Sequence, residues 1–380
     1  MLSGSHKIKV AFSVTNCICN DQRVMKMAGT VEKLGCEITI IGRKSGDCCK
    51  SESVPFRTKR FSMLFKRSVL FYAFFNIRLF IYLLFHRFDI LVANDLDTLL
   101  PNFLASRIKR CKLVYDSHEY FTGVPEIQDR HFVKSVWKSI ERLLFPKLKN
   151  VITVCDSIAD LYYTEYHIKP VVVRNCSPLA GEIIPLSRRE LGISEDNLLL
   201  ILQGTGINTD RGGEELIEAI NITPDVSLMI VGTGDNLETI REKVKSYDLE
   251  DRIKFIPKCR WKTLIRFTAA ADAGLSLDKS TNINYLCSLP NKLFDYLSAG
   301  IPVIATNLPE LSNIINKYHC GILITAAYPD EISKAICVLR DNNTLLSELK
   351  QNSVIASKLM NWEKESLKVE CLYRSIINDL

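Results

Sequence analysis

Apolar runs of strand length alternate along this chain with stretches in which apolar residues recur every three to four positions. Residues 8–14, 37–41, 90–93, 112–115 and 151–154 read as buried strands, and helical stretches such as 21–34 lie between them. A second series follows at 198–202, 226–231, 253–256, 273–277, 303–305 and 322–324. Repeated βα winding implies parallel strands covered by helices. The pattern breaks at 177–197, where Pro178, Gly181 and Pro185 stand without a strand-like run. An α/β architecture of two doubly wound, Rossmann-like domains is therefore expected. Its domains are residues 1–177 and 178–361, with a terminal helix over 362–380. Ligands of open parallel sheets sit beyond the carboxyl ends of the strands, so the expected site is an interdomain cleft fed by those loops.

Composition narrows the class. The 380 residues are 47% hydrophobic and 24% charged with a net charge of +6, which excludes a disordered or fibrous chain. Thirteen cysteines occur without any CxxC pair, and neither Cys17/Cys19 nor Cys48/Cys49 has zinc-site spacing, so reduced thiols and no metal are expected. The short polar opening before residue 8 reads as no signal peptide, and a cytoplasmic protein is expected.

One segment departs from the mean. Between Glu52 and Asp89 no acid occurs, while Arg57, Lys59, Arg60, Lys66, Arg67, Arg78 and Arg87 bracket or interrupt the apolar run 69–85. The run is too short to span a bilayer and is broken by Asn76 and Arg78. A helix lying on an anionic membrane surface through residues 57–88 is expected, the alternative being a core helix with solvated flanks. Apolar interleaving on this scale argues against a nucleic-acid surface.

Candidate chemistry gathers in the loops after strands. The first, 13–24, offers Asn16 toward the cleft and Asp21 as a helix cap, and lacks the GxGxxG of a dinucleotide site. Asp95 and Asp97 follow the strand at 90–93; they read as capping residues rather than a metal-binding pair, with Asp95 facing the cleft. After 112–115 come Asp116, His118 and Glu119, three titratable side chains at a strand end, either acid being able to orient the imidazole. In 203–220, Gly204 and Gly206 permit close backbone approach, and Arg211 precedes a helix. A guanidinium at a helix start suits a diphosphate, because it donates two hydrogen bonds and stays charged. Finally, 288–303 joins Ser288 and Pro290 to a helix that carries Asn291, Lys292 and Asp295 before Gly300 closes it.

These motifs resemble the retaining glycosyltransferases of family 4 over nearly the whole length. The resemblance rests on Asp21 to Val24, the Asn94 to Leu99 loop, Tyr115 to Glu119, 203–213, 231–235, 288–303 and the pair Trp362-Glu363. It implies the GT-B fold of two facing Rossmann-like domains, with the last helix returning to the first. It also implies roles. His118 would contact the transferred sugar, Arg211 and Lys292 the donor diphosphate, Asp295 the ribose, and the loop up to Lys258 the base. Catalytic residues would be His118, Arg211 and Asp295. Donor binding would add Gly204, Gly206, Lys258, Ser288, Asn291 and Lys292, and the acceptor or sugar side would use Asn16, Asp95, Asp116 and Glu119. The pattern departs at Cys287, where the family carries an acid; Asn284, Tyr285 and the 288–291 backbone are the candidate replacements.

The expected function is transfer of a sugar from a nucleotide-diphosphate donor to a lipid-linked or cell-surface polysaccharide acceptor, with retention. The enzyme would use no cofactor or metal and would sit peripherally on the inner face of the cytoplasmic membrane. A nucleotide-sugar epimerase of the same fold, or a non-catalytic membrane-surface binding protein, is the alternative.

Overall fold

The computed structural model describes residues 7–44, 54–65 and 69–380. Two compact units result: Met1–Asn175 with Glu365–Leu380, and Cys176–Lys364. The helix Trp362–Asn378 crosses the division, contributing its first three residues to the second unit and the rest to the first.

The first unit holds seven strands: β1 (Lys9–Ser13), β2 (Glu37–Arg43), β3 (Arg57–Phe61), β4 (Ile90–Asn94), β5 (Lys112–Ser117), β6 (Asn150–Thr153) and β7 (Val171–Val172). They are parallel, in the order β3-β2-β1-β4-β5-β6-β7. β4 is buried at every position, as a strand covered on both faces must be. The order reverses between β1 and β4, and there the carboxyl-end loops diverge to leave a crevice.

The pattern reading missed β3 and β7. β3 pairs Thr39 with Arg57 through Arg43 with Phe61, and its basic residues Arg57 and Lys59 point outward from a sheet edge. Edge strands carry such charges to block further pairing, so these residues are not simply the flank of a membrane helix. Arg57 also pairs with Glu37. Lys66 and Arg67, like Cys48 and Cys49, lie outside the described residues.

The apolar run forms the helix Val69–Phe85. Phe71, Phe75, Leu79 and Leu83 recur every four residues and are buried, the last three packing with Phe61, Leu91 and Ala105. Leu70, Ile77, Ile81 and Phe85 are exposed. The helix is therefore both a core element and an apolar surface. Asn76 interrupts the run because its amide donates to the Asp97 carbonyl (3.0 Å). Among the described residues no helix is long and apolar enough to cross a membrane.

The second unit holds β8 (Leu198–Gly204), β9 (Val226–Gly232), β10 (Ile253–Pro257), β11 (Ala273–Ser276), β12 (Val303–Thr306) and β13 (Gly321–Ile324), parallel in the order β10-β9-β8-β11-β12-β13. Its switch point lies between β8 and β11. Leu200, Leu202, Leu228, Ile230 and Leu275 center the core there. Two glycines shape the loop after β8. A Cβ at Gly232 (φ 141°) would stand 1.7 Å from the Gly204 carbonyl oxygen, and one at Gly212 (φ 71°) 2.5 Å from Leu277. Any side chain at either place would push the loop off the sheet.

Candidate functional site

At the β1/β4 switch point, the loop after β1 and the loop after β4 meet. Thr15 donates to Asp97 Oδ2 (2.5 Å), and Asn94 donates to the Ser13 carbonyl (3.0 Å). Asp21 caps the helix Gln22–Lys33 by accepting from the Val24 N–H. Asp95 and Asp97 do not share the expected capping role. Asp95 precedes the helix Leu96–Lys109 with φ 61° and ψ 167°, a conformation nearly confined to glycine, and makes no cap bond. It accepts instead from the backbone N–H of His118 (2.8 Å). Strain of roughly 1–3 kcal/mol is thus held where a carboxylate is aimed.

His118 stands between two carboxylates, with Nδ1 3.4 Å from Asp95 and Nε2 3.5 Å from Asp116. Burial disfavors the charged ring, yet the two acids outweigh it and push the imidazole up to about 10. The charged ring is thereby favored, with Asp95 and Asp116 standing at its two nitrogens. Asp116 itself is fully buried. Arg23 grips it through Nη2 (2.6 Å) and Nε (3.0 Å) and also donates to the Val173 carbonyl (2.8 Å). Against its burial, Arg23 and His118 hold the carboxyl at about 2. Asp116 thus lies behind His118, a correction to its placement on the ligand-facing side. The sequence reading saw Arg23 only as part of the family resemblance; nothing local announces a partner 93 residues away.

Asn16 is exposed, and Glu119 is partly exposed. Both line a cavity of about 180 Å³ with Thr15, Tyr72, Asn94 and Asp97. Burial is the main cause that raises Asp97 to about 7, and burial likewise raises Asp95. Asn94, Thr15 and Tyr72 were not singled out from sequence.

At the β8/β11 switch point, Arg211 sits two residues before the helix Gly213–Asn221. Its Nη1 lies 3.0 Å from Asp278 Oδ1, and the guanidinium stacks 4.4 Å from the Tyr285 ring center. Lys292 Nζ approaches Asp278 Oδ2 from the other side at 3.9 Å. Burial depresses the Lys292 pKa, Asp278 opposing and Arg211 adding to the effect. Asp278 is fully buried, and its Oδ2 accepts no hydrogen bond among the described residues. The sequence reading missed this acid, although it lies just beyond a predicted strand at the switch point.

The remaining positions sort plainly. Gly204 and Gly206 face open space, a Cβ at either meeting nothing closer than 3.8 Å. Ser288 Oγ donates to the Tyr285 carbonyl (2.9 Å), and Lys258 is exposed after β10. Pro290 is the N-cap of the helix Asn291–Ser298, and exposed Asn291 opens the helix. Asp295 accepts from Ser177 (2.5 Å), Trp261 Nε1 (2.8 Å) and Gln203 Nε2 (3.0 Å). Cys287 is a buried thiol, raised by burial and by Glu310. Among the described residues no cluster of three or more His, Cys, Asp or Glu could hold a metal ion.

Comparison with known proteins gives this geometry a family. Residues 22–177 match the description Glycosyltransferase Family 4, and residues 184–354 match Glycosyl transferases group 1. A chitobiosyldiphosphodolichol beta-mannosyltransferase of Debaryomyces hansenii is 23% identical over 67% of this chain. The chain spans 61% of that relative's length and 60% of the length of two others. Among solved structures, sucrose-phosphate synthase of Thermosynechococcus elongatus superposes with a TM-score of 0.81 at 15% identity, covering 98% of this chain and 100% of that one. Anabaena HepE in complex with UDP-glucose gives a TM-score of 0.77 at 16% identity, covering 97% and 100%. Two family descriptions in tandem, over two parallel sheets with this strand order, place the chain among the group 1, family 4 glycosyltransferases of GT-B fold.

Proposed function

We propose that the protein transfers a sugar from a nucleotide-diphosphate donor to a lipid-linked or saccharide acceptor, with retention at the anomeric carbon. The observation that carries this reading is the pairing of Arg211 and Lys292 across Asp278, beside an open glycine loop and at the starts of two helices. Departure of a nucleoside diphosphate concentrates negative charge on its phosphates, and cations held in advance stabilize that charge without reorganizing. Arg211 would take two phosphate oxygens through its fork, while Lys292 acts as a point charge. Asp295 would reach a ribose hydroxyl from a carboxylate already fixed by three donors. On the first unit, His118 would donate from its charged ring to a sugar oxygen, with Asp95 and Asp116 keeping it protonated. The mannosyltransferase relative, by its name, acts on a dolichol-linked saccharide, which supports a lipid-linked acceptor.

The exposed apolar stripe of the helix Val69–Phe85, with Lys59 and Arg87 exposed nearby, supports peripheral contact with an anionic leaflet. Such contact would bring the protein to a lipid-borne acceptor.

The decisive experiment is donor turnover in Arg211→Ala and Lys292→Ala. Each should lose about a hundredfold or more in kcat, the scale of removing one preorganized donor from developing charge. Near-wild-type rates in both would overturn the diphosphate assignment.

A further inference from the structure

The loop that follows β5 is tied down residue by residue. His118 donates its backbone N–H to Asp95 Oδ1 (2.8 Å), and Ser117 Oγ donates to the Glu119 carbonyl (2.8 Å) while lying 2.9 Å from Tyr162 Oη. Phe121 packs edge-on against Trp137, with ring centers 5.2 Å apart. Tyr120, flanked by the cavity-lining Glu119 and Phe121, enters a node shared by the helices His131–Leu144 and Asp156–Tyr166. There Lys138 Nζ donates to Glu165 Oε2 (2.5 Å), Glu141 Oε1 (2.6 Å) and Tyr120 Oη (3.1 Å). Tyr120 donates in turn to Glu165 (2.9 Å), and Tyr166 donates to Glu141 (2.7 Å). The ammonium also stands 5.3 Å and 5.5 Å from the ring centers of Tyr120 and Tyr166.

One ammonium thus serves two carboxylates, and that of Glu141 is fully buried. Burial disfavors the charged lysine, yet its bonds to Glu141 and Glu165 outweigh this and raise its pKa. Holding two helices together does not call for such a node, because apolar side chains of similar volume hold helices as well or better. What the node adds is direction: it fixes a hydroxyl on the residue two beyond His118.

We propose that Lys138 and Tyr120 are positioning residues, which through Glu165 hold the loop 117–121 in register so that His118 and Glu119 meet the substrate in one geometry. The proposal rests on the glycosyl-transfer reading and adds to it the means by which the first unit steadies its reactive loop. Reacting groups lose rate steeply when displaced, about a hundredfold for 1 Å.

Tyr120→Phe, Lys138→Met, their double variant and Lys138→Arg, all in the full chain, test this by two readouts. Hydrogen–deuterium exchange needs no substrate. Amides in the peptide 117–123 should exchange about tenfold faster in both Tyr120→Phe and Lys138→Met, with β4 and β6 unchanged. The second readout is steady-state turnover of whichever of UDP-glucose, UDP-galactose, UDP-N-acetylglucosamine and GDP-mannose the wild type consumes. In each single variant kcat should fall about tenfold while donor KM stays within about threefold, since the proposed donor contacts on the other unit are untouched. The double variant should lose no more than about threefold beyond the worse single variant, because both residues act through one node. Lys138→Arg, which keeps the charge, should recover kcat. Loop exchange within about twofold of wild type in both single variants, or losses that multiply in the double variant, overturns the proposal. So does an unchanged kcat in Tyr120→Phe. That variant removes one hydroxyl and decides alone if Lys138→Met, which leaves Glu141 buried without a cation, fails to fold. Consumption of none of the four donors by the wild type counts against the transfer reading, while the exchange experiment still decides whether the node anchors the loop.

Discussion

Asp278 places a negative charge where the proposed chemistry needs positive charge. Its carboxylate lies within 3.0 Å of Arg211 and 3.9 Å of Lys292, close enough that the pairings must loosen as a diphosphate arrives. On the proposed reading, that exchange would keep two cations oriented in the free protein and weaken the hold on the departing nucleotide. Replacement Asp278→Asn retains the shape and removes the charge. It should tighten nucleoside diphosphate binding by about tenfold, ~1.4 kcal/mol, and slow product release. Isothermal titration checks this, and unchanged or weaker binding refutes the role. Lys292 provides a pH test. Burial lowers its pKa below the ordinary lysine value, so the neutral form begins to accumulate at a lower pH than for an exposed lysine. Nucleotide affinity should therefore fall as pH rises through that lowered pKa. In Lys292→Arg, which stays charged, the fall should disappear. An identical pH profile in both proteins excludes Lys292 as the titrating group.

At the scale of elements, the helix Asn291–Ser298 is fixed less by its caps than by Asp295. The carboxylate ties Ser177, Gln203 and Trp261 to that helix, and Gln203 in turn accepts from Thr268 (2.7 Å). Asp295→Ala would strand three donors and should lower stability by about 3 kcal/mol, measured by urea unfolding. A drop well under 1 kcal/mol would show that the network relaxes without it. Loss of turnover in that variant alone thus cannot assign Asp295 to the ribose, whereas Asp295→Asn with intact stability can. The helix Val69–Phe85 divides its faces in the same spirit. Ile77→Ser with Ile81→Ser should leave the buried Phe75, Leu79 and Leu83 in place, yet reduce flotation with anionic liposomes severalfold and leave unfolding within about 1 kcal/mol of wild type. Equal flotation of both proteins refutes the membrane face.

Over the whole molecule, the two units carry separate sheets and separate switch points. If the nucleotide site lies wholly within Cys176–Lys364, a saturating nucleoside diphosphate should raise the unfolding transition of that unit. The size is about 2.7 kcal/mol at a hundred times Kd, with the other transition unmoved. Calorimetry distinguishes this from a single shared shift, which would place ligand contacts on both units. Sequence alone determined the fold class, because buried parallel strands must be continuous apolar runs and their helices must be amphipathic. Nearly every strand announced itself that way, as did the loops bearing His118, Arg211 and Lys292. β3 stayed hidden because an edge strand alternates exposed charge with half-buried residues. Tertiary structure alone decided which groups meet: Arg23 with Asp116 across 93 positions, Asp278 between two cations, Asn94 with the Ser13 carbonyl. A local pattern records burial and period, whereas a site is assembled from strand ends that the winding of the sheet brings together from distant parts of the chain.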